Sequence, residues 1–376
     1  MKINYRQLSI MVFMSFIALK FLALPSLLYK SAGNMGWFVN LILMLIDTIY
    51  AFIIIGLMKK CNEKNIYEFL KHTVGVVLAK LFIFCLMLKF LLVILNLVKG
   101  LEFFVAENLY NKLDWVLFFL PLVAVVSFLI YKGIRNIGRV YEMFFVAIII
   151  GCIYIGLKAV TSVDILSFLP MFKDGFVPIL KTGYTHLSWY GSSTFLFMLF
   201  GSVDFNKGKK SCLIKYIVYA LLLVNFLYFV FYGLFDITAP IHNFCLSDIS
   251  QFYSGIQSTD EIAWLVVSLW IVAQTVQIAM YCYCLMLTIR YLFNIKSKIP
   301  PIIIIGVYIY LIGYISEKTI NLESVLFTDF VSLLTIFTSY ILPIILWISY
   351  IIKNKFKKKS GNLEQQLATG GAKWKN

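Results

Sequence analysis

Three charged residues lie well inside apolar segments, and their chemistry needs an explanation first: Lys20, Asp47 and Lys89. Lys20 stands about 18 Å along a helix that would begin at Leu8. An ionised side chain at such depth in a membrane costs several kcal/mol unless it is paired or hydrated. A cluster with Asp47 between the two lysines would lower that cost, and it could hold a substrate carboxylate or couple to protons. The alternative is that each lysine snorkels to the membrane surface.

Two of the apolar segments also contain residues that interrupt a helix. Proline lacks an N–H and disfavours helix in the residue before it, and glycine favours turns. Interruptions at matching places in two halves of a chain indicate a transporter-type site, because unwound backbone offers N–H and C=O groups to a small polar ligand. Alternatively, proline and glycine only kink or pack membrane helices. The candidate ligand-binding residues at the two interruptions are Ala23, Leu24, Pro25, Ser26, Tyr190, Gly191, Ser192 and Ser193.

A polar stripe on a later apolar segment adds three candidate residues. Gln274, Gln277 and Tyr281 follow the i, i+3, i+7 spacing that places side chains on one face of a helix. Such a stripe favours contact with protein or with a cavity over contact with lipid. It either contributes to the ligand site or only joins helices through hydrogen bonds.

Motifs for catalysis or metal binding are not recognisable in the sequence. The segment Gly201–Ser211 resembles a P-loop, but too many residues separate its glycines. The three histidines are scattered, and the seven cysteines lie mostly in or beside apolar runs, where they act as small hydrophobic residues. We therefore expect no enzyme, no metal site and no cofactor.

Composition determines the class of protein that must position these residues. Of the 376 residues, 61% are hydrophobic and 14% are charged, against about 45–50% and about 25% in soluble domains. The apolar runs have the length of about 20 residues that a membrane-spanning helix needs, and they do not alternate as barrel strands do. The sequence predicts an all-α membrane protein with ten transmembrane helices: Leu8–Tyr29, Trp37–Met58, Val77–Leu97, Trp115–Tyr131, Val140–Leu157, Tyr184–Gly201, Ile214–Phe235, Ile262–Leu292, Pro300–Ile315 and Leu326–Ile352.

The distribution of basic residues predicts the orientation. Most of the 33 lysines and arginines fall in the N-terminus, in the loops after predicted helices two, four, six and eight, and in the C-terminal tail. Cytoplasmic loops carry such an excess, so both termini are predicted to be cytoplasmic. Their placement in short loops also argues against nucleic acid as the partner, despite the net charge of +15.

Ten helices divide into five plus five, and the interrupted segments are then helix one and helix six. An inverted repeat of this kind predicts a first five-helix repeat at 1–157 and a second at 158–352. Residues 353–376 are basic and then polar, which predicts a disordered cytoplasmic tail. The loop Asp236–Glu261 contains no Lys or Arg and is long enough for a short surface helix around Leu246–Ile256.

Five stretches occur in a particular order along the chain: Ile3–Leu8, Leu22–Ile42, Tyr131–Phe144, Leu169–Lys181 and Ser258–Cys284. Together they resemble the B subunit of spore germinant receptors, the endospore germination permease family. The ordered set spans most of the chain, and its size and helix count also agree. No single motif among them is decisive.

The resemblance implies a LeuT-like fold, that of amino acid/polyamine/organocation transporters, with a ligand at the breaks of helices one and six and with helices three and eight lining the site. It implies a subunit that senses a nutrient, often an amino acid, and works with an A-type subunit and a lipoprotein C-type subunit. It also implies the inner membrane of a spore as the location. Lys20 and Lys89 are not typical of the family.

Two functions stay open at this point. The first is the nutrient-sensing B-type subunit of a spore germinant receptor that triggers germination. The second is a proton- or sodium-coupled amino acid transporter. A membrane enzyme or scaffold unrelated to either is a third and more remote hypothesis.

Overall fold

The protein is built of helices. A computed structural model describes residues 2–60, 65–109, 115–169, 171–172, 175–205, 210–254, 260–318 and 329–353. Within these ranges, seven helical stretches are long and apolar enough to cross a membrane. The prediction of an all-α integral membrane protein is therefore confirmed.

The α-helices are numbered in chain order over the described residues. They are α1 (Tyr5–Ala18), α2 (Leu24–Ala32), α3 (Gly36–Lys60), α4 (Ile66–Val74), α5 (Val76–Asn108), α6 (Trp115–Lys132), α7 (Ile134–Ala159), α8 (Val177–Thr185), α9 (Lys210–Phe235), α10 (Cys245–Ser254), α11 (Asp260–Phe293), α12 (Ile299–Lys318) and α13, which begins with Asp329–Thr335. Helix α13 passes through a π-helical segment, Ile336–Ile341, and remains helical to Lys353.

Most predicted helices match an observed helix within a few residues. The largest difference among them is α5, which continues eleven residues past its predicted end at Leu97, to Asn108. The short helix α4 was not predicted, although Asn65 caps it by accepting a hydrogen bond from the Glu68 N–H at 2.9 Å. The predicted surface helix in the loop after α9 is confirmed as α10. The first residues of predicted helix ten and residues 354–376 of the predicted tail lie outside the described residues.

Predicted helix one is interrupted, but not where the sequence placed the break. Helix α1 ends at Ala18, residues 19–23 form a turn, and α2 begins at Leu24. Pro25 lies in the first turn of α2, where backbone N–H groups make no hydrogen bond within the helix, so the missing N–H of proline costs nothing. Its ring excludes helix only on its N-terminal side. The interruption therefore precedes Pro25, and its centre is the turn that contains Lys20.

Predicted helix six begins earlier and is less regular than expected. The predicted start at Tyr184 is wrong, because α8 already begins at Val177. After it the chain forms a 3₁₀ turn, passes through Tyr190 and Gly191, and continues as a 3₁₀ helix, Ser192–Leu199. Gly191 has φ 79° and ψ 26°, a left-handed conformation that glycine adopts without steric cost.

The two interrupted segments run antiparallel and meet at their breaks. Ile3, just before α1, forms a parallel bridge with Val203, just after the 3₁₀ helix: the Ile3 N–H donates to the Ser202 carbonyl at 2.9 Å, and the Asp204 N–H donates to the Ile3 carbonyl at 2.8 Å. The start of one segment thus lies beside the end of the other. Helices α3, α5, α11 and α13 surround the place where the breaks face each other.

Candidate functional site

Lys20 joins the two breaks. It lies in the turn between α1 and α2, and its side chain is fully buried. The Lys20 ammonium donates a hydrogen bond of 2.7 Å to the hydroxyl of Ser192, which is the first residue after Gly191. The same nitrogen lies 4.7 Å from the centre of the Tyr190 ring, within reach of a cation–π interaction. A lysine held in this way does not snorkel to the membrane surface, so that alternative is wrong for Lys20.

Asp47 of α3 holds the other side of the same junction. One carboxylate oxygen accepts a hydrogen bond from the Ser192 N–H at 3.1 Å, and the other accepts one from the Ser193 hydroxyl at 3.0 Å. The Lys20 ammonium is 4.0 Å from this carboxylate. Both charges are almost completely withdrawn from solvent, where an ion pair is retained only if hydrogen bonds satisfy its remaining groups. Here Ser192 and Ser193 provide those bonds.

Lys89 of α5 is buried as well, but its partner is different. Its ammonium donates a hydrogen bond of 2.8 Å to the Thr335 hydroxyl of α13, and it forms no ion pair with a carboxylate of the described residues. Asp47 therefore forms its ion pair with Lys20 and acts on Lys89 only from a greater distance. The role of the predicted cluster of these three residues stays a prediction.

The carbonyl groups freed by the first break are covered by neighbouring helices. Gln274 of α11 donates to the Ala18 carbonyl at 2.7 Å. From α9, Tyr228 donates to the Lys20 carbonyl at 2.6 Å and Tyr232 to the Pro25 carbonyl at 2.8 Å. Unsatisfied carbonyls in an apolar interior are costly, and Gln274 and Tyr228 remove that cost at the break, whereas Tyr232 adds a second hydrogen bond to a carbonyl inside α2. The sequence analysis did not identify the two tyrosines.

The polar stripe on α11 faces the interior of the protein. Gln274, Gln277 and Tyr281 are each about 1% exposed. Tyr281 donates to the Ser192 carbonyl at 3.2 Å, and Gln277 accepts a hydrogen bond from Tyr141 of α7. Gln274 Oε1 and Gln277 Nε2 are buried without a hydrogen-bond partner among the described residues. The stripe thus joins helices through hydrogen bonds, and two of its polar atoms have no hydrogen-bond partner among the described residues.

Helix α13 supplies site residues that the sequence analysis missed. Thr335 holds Lys89, and Ser339 lies so close to Gly191 that a Cβ on the glycine would be 2.1 Å from the Ser339 oxygen. The hydroxyls of Ser339 and Tyr340 are buried and have no partner among the described residues. The segment is π-helical, a conformation often found at functional sites. The run of Thr and Ser residues in this apolar helix was the sequence feature that could have indicated these site residues.

The other predicted residues lie around this centre. Leu24 and Pro25 are buried at the start of α2, and Ala23 is half-buried in the turn before it. Ser26 donates a hydrogen bond to the His242 carbonyl in the loop after α9. Tyr190 donates to Asn40 Oδ1 of α3 at 2.8 Å. Ala23 and Leu24 therefore contribute backbone and packing, whereas the polar contacts come from their neighbours.

The loop that carries His242 packs over the outer part of α2. Asp248 of α10 lies 3.6 Å from the His242 Nδ1 atom, and it accepts a hydrogen bond of 3.0 Å from the Phe244 N–H. Burial raises the pKa of Asp248 to about 7, and burial lowers the pKa of His242. Within the described residues, no group of three or more His, Cys, Asp or Glu side chains is arranged to hold a metal ion.

The clefts of the protein differ in size and in how polar their lining is. A cleft of about 20 Å³ is lined by Lys89, Asn96, Ser188 and Trp189 together with aliphatic side chains. Two larger clefts, of about 500 and 660 Å³, are almost wholly apolar and lie between helices. Tyr219 lines the first of them. Size alone would favour the larger clefts, but their lining suits lipid chains. The polar chemistry is at the small cleft and the breaks beside it.

Comparison with known families decides what kind of protein carries this centre. The sequence model of a family described as spore germination protein matches residues 2–321 of the chain. The chain belongs to the spore germination protein family. The match includes both breaks, Lys20, Asp47 and Lys89, and it ends before α13. The resemblance inferred from the ordered stretches is confirmed at the level of the family.

One relative adds to this assignment. A Bacillus subtilis (strain 168) protein, YfkT, provisionally named for spore germination, is 25% identical to the chain over 209 residues. The match spans 53% of this chain and 53% of the relative. About half of the relative's length is thus matched, which supports the family and a germination-related membrane protein.

Proposed function

We propose that the protein is the nutrient-sensing B-type subunit of a spore germinant receptor, with its ligand at the facing breaks beside α3, α5, α11 and α13. One observation supports this most directly: the buried Lys20 ammonium bridges the two breaks through Ser192 and Asp47. Buried charges inside a membrane protein are costly and mark functional sites. In a spore germination protein, recognition of a small polar nutrient is a function that explains why such a centre is present. An amino acid is the proposed class.

Ligand binding would act by changing the packing of the breaks. The cleft of about 20 Å³ has room for about one water molecule, so an amino acid requires the breaks to move apart. The ligand must also compete with the Lys20–Ser192 and Asp47–Ser192 contacts. A ligand shifts such an equilibrium only by its different affinity for the two packings. We propose that the closed packing is the resting state of the receptor and that the expanded packing triggers germination.

The finer assignments belong to the same proposal. The fold is a ten-helix, five-plus-five inverted repeat in which the two interrupted segments are helices one and six. Both termini are cytoplasmic, and the membrane is the inner membrane of the spore. The partners are an A-type and a lipoprotein C-type receptor subunit. The protein has no catalytic activity, uses no cofactor, and binds no nucleic acid.

The proposal is tested in spores. Deletion of the gene should abolish the germination response to at least one amino acid, measured as loss of refractility, and the wild-type gene should restore it. Lys20→Met should change the concentration or pH dependence of the response, because it removes the link between the breaks. Lys30→Met, at an exposed lysine of α2, is the matched control. A normal response to every amino acid after deletion would contradict the proposal.

The alternative is a proton- or sodium-coupled amino acid transporter, which the buried Lys20–Asp47 pair also suits because charged groups inside membranes often serve proton relays. Uptake of labelled amino acids into liposomes containing the purified chain separates the two. Accumulation driven by an ion gradient favours the transporter. Loss of the germination response after deletion, together with no uptake in liposomes, favours the sensor.

A further inference from the structure

The charges at the centre of the protein do not balance within the described residues. Lys20 and Asp47 form the close pair, whereas the group that Lys89 contacts among the described residues is the neutral Thr335 hydroxyl, and Asp47 acts on Lys89 only from beyond ion-pair distance. The ammonium group has three N–H donors, and one is used. Lys89 is 3% exposed, so water covers it little. Among the described residues, two buried ammonium groups, of Lys20 and Lys89, thus face one buried carboxylate, that of Asp47.

Lys89 lines the cleft between the breaks. Leu19 borders this cleft at the end of α1, and Trp189 borders it just before the second break. Asn96 lies seven residues after Lys89, on the same face of α5, and Ser188 lies opposite. Three residues that carry an ammonium, an amide and a hydroxyl thus line one small space, and all three groups can donate hydrogen bonds.

A second observation places uncommitted polar atoms beside the same space. Helix α13 presents Thr335 to Lys89 and Ser339, four residues later, to Gly191. The Ser339 hydroxyl is fully buried and has no hydrogen-bond partner in the part of the chain that the structure describes. A buried polar atom without a partner needs an explanation, and a group of a bound ligand is one that fits beside this cleft.

We propose that the ligand at the breaks is a small carboxylate of net charge −1, and that its carboxylate pairs with Lys89. This inference rests on the proposed function, because it takes the facing breaks as the ligand site. A net anion compensates the positive charge by which Lys20 and Lys89 together exceed Asp47. A neutral amino acid does not, since its own ammonium brings a further positive charge beside Lys20 and Lys89. Acidic amino acids and simple hydroxy or keto acids meet the requirement.

The test measures binding to the purified full chain in lipid nanodiscs. The probes are L-glutamate and L-lactate, each of net charge −1, and L-glutamine and L-alanine, which are neutral overall. At least one anionic probe should bind roughly 30-fold more tightly than either neutral probe. Lys89→Met should weaken that binding by roughly 30-fold or more, as expected when one partner of a buried charge pair is removed. Lys89→Arg, which retains the charge, should keep more of the affinity than Lys89→Met.

The controls separate this inference from the proposed function. Lys80→Met removes an exposed lysine from the same helix and should leave binding unchanged. Thermal unfolding of each variant shows whether it is folded. If glutamine or alanine binds at least as tightly as the anions and Lys89→Met has no effect, the charge inference is overturned while the sensor stands. If no probe binds and the deletion spores respond normally, both are wrong.

Discussion

The two breaks differ in what they expose and in how the protein covers it. The first break frees carbonyl groups, at Ala18 and Lys20, and neutral donors on α11 and α9 cover them. The second break frees an N–H, at Ser192, and a carboxylate covers it. The first break also carries the Lys20 ammonium, which reaches the second.

The difference shows how one site can be both stable and responsive. Hydrogen bonds from Gln and Tyr to carbonyls are short-ranged and neutral, and they keep the first break in shape. The second break is fixed by charge, and charge interactions inside a protein change strongly when a new ion enters. We therefore expect a charged ligand to act mainly through the second break, while the first serves as its support.

The largest effect is expected at Gly191. A Cβ at this position would be 2.1 Å from the Ser339 oxygen and 2.7 Å from its Cβ, in a left-handed backbone conformation. Gly191→Ala should therefore destabilise the protein by about 3 kcal/mol or more, since overpacking and backbone strain add. Gly191→Leu should abolish ligand binding while the chain still inserts into the membrane. Thermal unfolding in detergent and a binding assay measure the two effects.

Two controls isolate the contact from the backbone strain. Gly75 also has a positive φ, 93°, but a Cβ there would meet nothing within 4 Å. Gly75→Ala therefore reports strain without collision, and since its ψ of 171° suits a side chain even less than the left-handed conformation of Gly191, it gives an upper bound for the strain. Ser339→Gly removes the atoms that collide and should restore part of the stability of Gly191→Ala. Equal losses in the two alanine variants, with no recovery from Ser339→Gly, would show that the second break tolerates a larger residue.

A smaller but still large effect is expected at Asp47. Asp47→Asn leaves the buried Lys20 ammonium without its counter-charge, which should cost about 3 kcal/mol of unfolding free energy. Adding Lys20→Met to Asp47→Asn should recover part of this loss, because the unpaired charge is then removed. Unfolding free energies of the two single variants and the double variant form a cycle. Strict additivity would mean that the ion pair does not couple the breaks.

The smallest effect is expected at the first break. Tyr228→Phe removes the donor to the Lys20 carbonyl and should cost about 1 kcal/mol, the usual value of a neutral hydrogen bond. Tyr219→Phe, on the same helix at a side chain that is 52% exposed, is the matched control and should change little. We expect ligand affinity to change less in Tyr228→Phe than in Asp47→Asn. The reverse order in the binding assay would make the first break the responsive one.

Several features followed from local sequence. The apolar runs, Pro25 and Gly191 predicted helices and two interruptions, because chain length, a missing N–H and a missing Cβ act within a few residues. The position of the first break was predicted too late, because the sequence marked the proline and not the turn before it. The irregular 3₁₀ and π segments were not predicted, since packing against neighbouring helices selects them.

The sequence by itself determined that this is a helical membrane protein, that two segments lose their regular helix, and that three charges lie at depth. Only the tertiary structure decided their partners. Lys20 reaches Ser192, 172 residues away, and Lys89 reaches Thr335, 246 residues away. No local pattern specifies contacts over such separations, because they depend on which helices pack together. That packing placed the Asp47 carboxylate beside Lys20 and left Lys89 at the edge of the cleft.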